Sequence, residues 1–198
     1  MSVIFDEMKV LSSDLYLKIA KDNIEILDVV EDKKMWIMHI CIFPHLDDSS
    51  PIFGFDVICG ENKITGIFLD FSMATSNHPM NIWFKNRTKD VVWKKDRELP
   101  DWGKRIFSEN MIAAGGVNTE SELNQIIVVA KDCLDYYVNN VGRSIVDFSV
   151  AERHNKYCIN QKENVHTSRF LIKCGYKEDD VKNFIDKHLF PEIRYNTI

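Results

Sequence analysis

Apolar residues occupy both strand faces from Met35 to Phe43: Met35, Ile37, Cys41 and Phe43 alternate with Trp36, Met38, Ile40 and Ile42, and His39 lies on the first of these faces. A strand apolar on both sides belongs to a sheet covered on both sides. Ile52 to Cys59 and Lys63 to Phe71 read as a second hairpin turned by Gly60-Glu61-Asn62, and Asp70 closes its end. Asn23 to Val30 alternates in strand fashion. Glu31-Asp32-Lys33-Lys34 then turns it back into the Met35 run, predicting antiparallel neighbours. Pro44 to Pro51 suits neither element and reads as a loop, and Arg97 to Gly103 is a breaker-rich corner before a further strand, Ile106 to Ala114.

Beyond that corner the period changes. Thr119-Glu120-Ser121-Glu122 is a capping box, and Leu123, Ile126, Ile127, Ala130, Leu134, Tyr137 and Val138 follow at helical spacing to about Val141. A second helix is predicted from about Val150 to Lys173 with Gly175 capping it, and a third from Lys177 to Leu189 before Pro191. Ser12 or Ser13 caps a short helix through Ala20. Between Ser72 and Arg97 the pattern gives no single element, although Trp83 and Trp93 point to packing against the core. Strands first and helices after, joined by hairpins, predict an α+β fold with an antiparallel sheet in one domain over residues 1–198.

Composition narrows the function classes. The chain has 198 residues, 45% of them hydrophobic, enough for one substantial core. A net charge of −5 argues against coating nucleic acid, and no apolar run approaches a membrane span or a signal peptide, so a cytoplasmic or plastid-stroma setting is expected. Five cysteines, widely spaced and without CxxC, read as reduced buried thiols rather than a metal site. GxGxxG, GxxxxGK[ST], GxSxG and HExxH are all missing.

The polar groups that interrupt the apolar strands are Glu25, His39, Asp56 and Asp70. Each has an ordinary reading as a hydrogen-bonded core residue. Together on adjacent strands they define a pocket able to deliver protons near neutral pH, if Glu25 and His39 face each other and Asp56 lies next door.

His39-Ile40-Cys41-Ile42-Phe43-Pro44, Pro51 to Asp56, Arg97 to Gly103, Ile106-Phe107-Ser108 and the helix run His154 to Cys158 with Gln161, Asn164, Thr167 and Arg169 resemble the ferredoxin-dependent bilin reductases. The motifs keep the family's order and its His-to-Asp spacing over about Asn23 to Pro191. The resemblance implies a three-layer α/β/α sandwich with a central antiparallel sheet, binding a linear tetrapyrrole such as biliverdin between sheet and C-terminal helices. It further implies no bound metal or flavin, a monomer, and reduced ferredoxin as the partner that supplies electrons one at a time, through bilin radicals. Asp56 matches the family's proton-donating aspartate, His39 its partner histidine and, across a gap, Glu25 a catalytic glutamate. Gln161, Asn164, His166 and Arg169 match substrate-binding positions on the helix. Arg153, Lys156, Lys162 and Arg169 are candidates for the substrate's propionates or are a solvated helix face. Lys94-Lys95 and Lys104-Arg105 are candidates for an acidic ferredoxin.

Three departures accompany the match. The chain starts late relative to familiar members, which implies a more open pocket; Val165 stands where many members carry a second proton-donating aspartate; and Gly115 aligns with an expected propionate-binding arginine. The expected activity is reduction of biliverdin to phycocyanobilin or a two-electron product. The alternative is a non-catalytic bilin-binding protein on the same fold.

Overall fold

The computed structural model describes residues 24–26, 36–60, 64–92, 96–117, 119–142 and 149–194. Its described strands are β1 (Ile24–Ile26), β2 (Trp36–Ile42), β3 (Ile52–Cys59), β4 (Ile64–Ser72) and β5 (Ile112–Ala114), an antiparallel meander in the order β1-β2-β3-β4-β5. The short β3–β4 link leaves antiparallel pairing as the natural outcome, whereas α1 (Pro79–Thr88) and a short helix at Asp101–Lys104 intervene before β5 returns to pair with β4. The helix expected over residues 12–20 and the Glu31 to Lys34 turn lie outside the described residues.

Strand alternation gives the sheet two unlike faces. Met38, Ile40, Ile42, Phe53, Phe55, Val57, Leu69 and Phe71 point to one, where α1 (Pro79–Thr88) and α3 (Glu120–Asn140) cover them. Helix α1 lies in the stretch that the pattern left open: Pro79 pre-sets its first turn, and the His78 ring accepts from the Met80 N–H at 3.3 Å. Helix α3 starts as expected, the Thr119 hydroxyl accepting from the Glu122 N–H at 3.3 Å. Leu123, Ile126, Ala130, Leu134 and Tyr137 form its buried stripe, and the Tyr137 hydroxyl donates to the Pro51 carbonyl at 2.8 Å.

The opposite face carries α2 (Asp101–Lys104), α4 (Val150–Gln161) and residues 184–190, completing the α/β/α sandwich. Two expectations are corrected on this side, the strand and the second helix. The Ile106 to Ala114 strand is a turn from Ile106 to Asn110 followed by the three-residue β5, because Ser108 is drawn down to Asp70 on β4. The single helix from Val150 to Lys173 is two, α4 and α5 (Val165–Lys173), since the Asn164 side chain accepts from the His166 N–H at 3.1 Å and starts a new helix. The third helix is α6 (Glu178–Phe184), which widens into a π-helical turn, Ile185–Leu189. Gly175 does end α5 as expected: at φ 101° it lets Gly175 N–H reach Ile172 O and Tyr176 N–H reach Leu171 O.

Candidate active site

The site lies on the α4 face of the sheet. His39 on β2 stands directly opposite Asp56 on β3, and the two side chains are bonded through His39 Nδ1 and Asp56 Oδ1. Cross-strand partners share a face, so register alone brings the rings and carboxylates together. The next pair along is Cys41 opposite Gly54, and Gly54 in turn lies opposite Asp70 on β4. His39 is 13% exposed and Asp56 32%, so the carboxylate reaches solvent where the imidazole does not.

Tyr157 from α4 fills the space above Gly54. A methyl at position 54 would meet its hydroxyl at 3.6 Å, Cys41 Sγ lies 3.9 Å from it, and Gln161 Nε2, one helical turn on, donates to it at 2.8 Å. Burial pushes the Tyr157 phenol well above its ordinary value, with Cys41 and Asp56 adding to the rise. Phe190 closes the other side, its ring 6.0 Å from that of His39 and nearly perpendicular to it. Cys41, Tyr157, Phe190, Leu189 and Ile106 form the apolar surround.

Asp70 is 1% exposed and acts as a clasp. It accepts from the Ser72 hydroxyl at 2.5 Å, the Ser108 hydroxyl at 2.5 Å and the Ser108 N–H at 2.9 Å. Burial raises its carboxyl above the ordinary range, and the serine hydrogen bonds oppose that rise without cancelling it.

Of the residues singled out in the sequence, His39, Asp56 and Gln161 belong to this one constellation. Glu25 lies opposite Cys41 in the backbone register rather than opposite His39. Asn164 caps α5, while His166 and Arg169 sit on that helix as exposed residues. Arg153 donates to the Met73 carbonyl at 2.7 Å, and Lys162 contacts Glu192 at 2.7 Å and Asp186 at 3.3 Å, so both serve the fold; Lys156 is exposed. Lys104 contacts Glu98 and Asp101, and Arg105 bonds Asn160 and Glu163, which offsets the charge of that basic pair. Lys94-Lys95 lies outside the described residues.

Val165 opens α5 as an exposed residue. Gly115 is explained by two neighbours: a Cβ there would sit 3.1 Å from the Thr65 carbonyl oxygen and 3.3 Å from Arg97 Cδ, and the Arg97 guanidinium lies over the Phe68 ring at 5.4 Å. Phe68 pairs with Asp56, so an arginine does reach this end of the sheet from the adjacent segment. Tyr157, Phe190 and the Asp70–Ser108 clasp escaped the sequence reading. The spacing of Tyr157 to Gln161, one helical turn, was the available signal for the first.

The sandwich thus carries a bonded His39–Asp56 pair on the sheet face that its helix α4 covers. The family model of ferredoxin-dependent bilin reductases matches residues 19–191, and the chain belongs to that family. It is 28% identical over 174 residues to the phycocyanobilin:ferredoxin oxidoreductase of Prochlorococcus marinus (strain MIT 9515), covering 83% of this chain and 70% of the relative. Against the protein of the same name from Synechococcus sp. (strain CC9902) it is 29% identical, covering 78% and 65%. The chain thus spans about two thirds of the length of these relatives. Among solved structures, a PcyX protein matches with a TM-score of 0.57 at 28% identity, covering 86% of this chain and 73% of that one. Tomato phytochromobilin synthase in complex with biliverdin has the same fold, with a TM-score of 0.68 at 19% identity, covering 84% and 64%.

Proposed function

We propose that the chain reduces a linear tetrapyrrole with electrons from ferredoxin, converting biliverdin IXα to phycocyanobilin or to a two-electron-reduced bilin. The observation that carries this reading is the bonded His39–Asp56 pair, set in register on the sheet face that α4 covers. Adding an electron to a conjugated tetrapyrrole makes it more basic, so a donor within hydrogen-bond reach eases each electron transfer. Two electrons taken one at a time require two protons for the two-electron product, and phycocyanobilin takes four of each. Asp56, the more exposed member, hands a proton to the pigment, and His39 holds the carboxylate in place and returns a proton to it. Glu25, Gln161, Asn164, His166 and Arg169 are assigned to the two ends of the pigment, the first as a further proton carrier and the others as hydrogen-bonding groups.

An anaerobic assay with biliverdin, ferredoxin and a ferredoxin-reducing system tests this. Loss of biliverdin absorbance with new reduced bilins on chromatography is the expected result. A coloured complex that never changes would sink the enzyme and leave a bilin-binding protein.

A further inference from the structure

The end of the described chain is tied down by polar contacts that converge on α4. After the π-helical turn, the Phe190 N–H donates to the Ile185 carbonyl at 2.9 Å, and residues 190–193 run on as a strap along α4. Asn155 clamps Ile193 from both sides, its Nδ2 donating to the Ile193 carbonyl at 3.0 Å and its Oδ1 accepting from the Ile193 N–H at 2.7 Å. The Pro191 carbonyl is met by His154 Nε2 at 2.7 Å and accepts from Cys158 Sγ at 3.5 Å. Lys162 holds Glu192 at 2.7 Å.

The apolar anchor of this strap is Phe190. It is 3% exposed and stands edge-on to both His39 and Tyr157. The Lys162–Glu192 contact is exposed and those to His154, Asn155 and Cys158 are part-buried, and polar contacts exchanged for water carry a small net cost, so a strap held in this way can lift while the core stays folded. The core on the opposite face makes no demand on it: Phe190 groups with Cys41 and Tyr157, apart from the α1/α3 cluster.

We propose that Phe190 is a gating and positioning residue for the substrate, carried on a 190–193 latch whose lifting uncovers the His39–Asp56 face. This rests on the reading of the ligand as a linear tetrapyrrole. Closing returns an aromatic edge to the side of His39 and limits water at its ring, while the Asp56 carboxylate stays open to solvent.

Cys41 provides the probe, because it is 2% exposed within the Tyr157–Phe190 cluster. Cys59 and Cys133 lie in the opposite core, where burial pushes each thiol up to about 12, so they report unfolding of the whole chain. Iodoacetamide labelling of the full chain, read by peptide mass spectrometry, is compared among the native protein, Asn155→Ala, Phe190→Ala and the double variant. Each single variant is expected to raise Cys41 labelling and the biliverdin association rate roughly tenfold, the reciprocal of a minor open fraction. The double variant should add little, since latch and anchor act as one unit. Cys41 labelling unchanged in both singles, or a rise shared by Cys59 and Cys133, overturns the latch. Bilin binding at native rates despite faster Cys41 labelling overturns the gate. Faster labelling with no coloured complex in any variant upholds the latch and overturns the tetrapyrrole reading instead.

Discussion

The two faces of the sheet are built from the same strands and do opposite things. Toward α1 and α3, β2, β3 and β4 present Ile40, Phe53, Phe55, Val57, Leu69 and Phe71, all nearly without exposure and without a charge among them. Toward α4, the alternate residues of those strands are Ile37, Ile52, Ile58 and Phe68 together with His39, Cys41, Gly54, Asp56, Asp70 and Ser72. One face is a hydrophobic core that holds the sheet flat against two helices. The other sets its polar groups in fixed pairs inside a smaller apolar surround. A strand's twofold period lets one segment carry both tasks, so stability and chemistry can be altered separately.

The sharpest break is Phe71→Ala. Phe71 is fully buried among Phe53, Phe84, Trp83 and Tyr137, and its truncation leaves a cavity expected to cost about 3–5 kcal/mol, read from the urea midpoint. A loss under about 1 kcal/mol would mean that this face is not the stabilising one. On the other face, Asp56→Asn keeps the shape and removes the proton. Turnover is expected to fall by about 10²-fold or more with the urea midpoint and bilin binding nearly unchanged. Full activity in this variant would take Asp56 out of the mechanism.

Asp70 separates the faces through pH. Its folded carboxyl titrates above the ordinary value of 3.8 because it is buried, so just above 3.8 the folded chain binds more protons than the unfolded one. Its contribution to stability is therefore complete below 3.8 and is lost as pH rises through the raised folded value. Asp70→Asn has no such proton, and the difference between the two stability curves should fall across that window. Parallel curves would show that the clasp carries no excess proton.

These contrasts were partly visible in the sequence. The alternation around His39, the Gly60-Glu61-Asn62 turn and the Thr119 capping box carry local signals strong enough to place β2, β3, β4 and α3 to within a residue or two. The His39–Asp56 pairing followed from the family resemblance and agrees with the register. Part of what failed depended on contacts between distant segments. Nothing local tells that Ser108 will be pulled onto Asp70, 38 residues away, and stop a strand from forming. The α4–α5 break hinged on one asparagine choosing a cap over a helix interior, in a run whose apolar period continues through it. Phe190 reads as one more apolar residue after a helix, and only the folded chain brings it to His39.

The smallest expected effect is the most telling about the α4 face. Gly54 sits mid-strand opposite Cys41, where glycine costs backbone entropy and a methyl would meet the Tyr157 hydroxyl at an ordinary 3.6 Å. Gly54→Ala should therefore leave stability unchanged or raise it by about 0.5 kcal/mol. The same methyl projects from the face on which a flat tetrapyrrole would lie, beside Asp56. Bilin affinity should fall although the protein has become no less stable, measured by visible absorbance titration beside a urea midpoint. Affinity and stability moving together would mean that position 54 answers only to packing, and that the pigment lies elsewhere on the sheet.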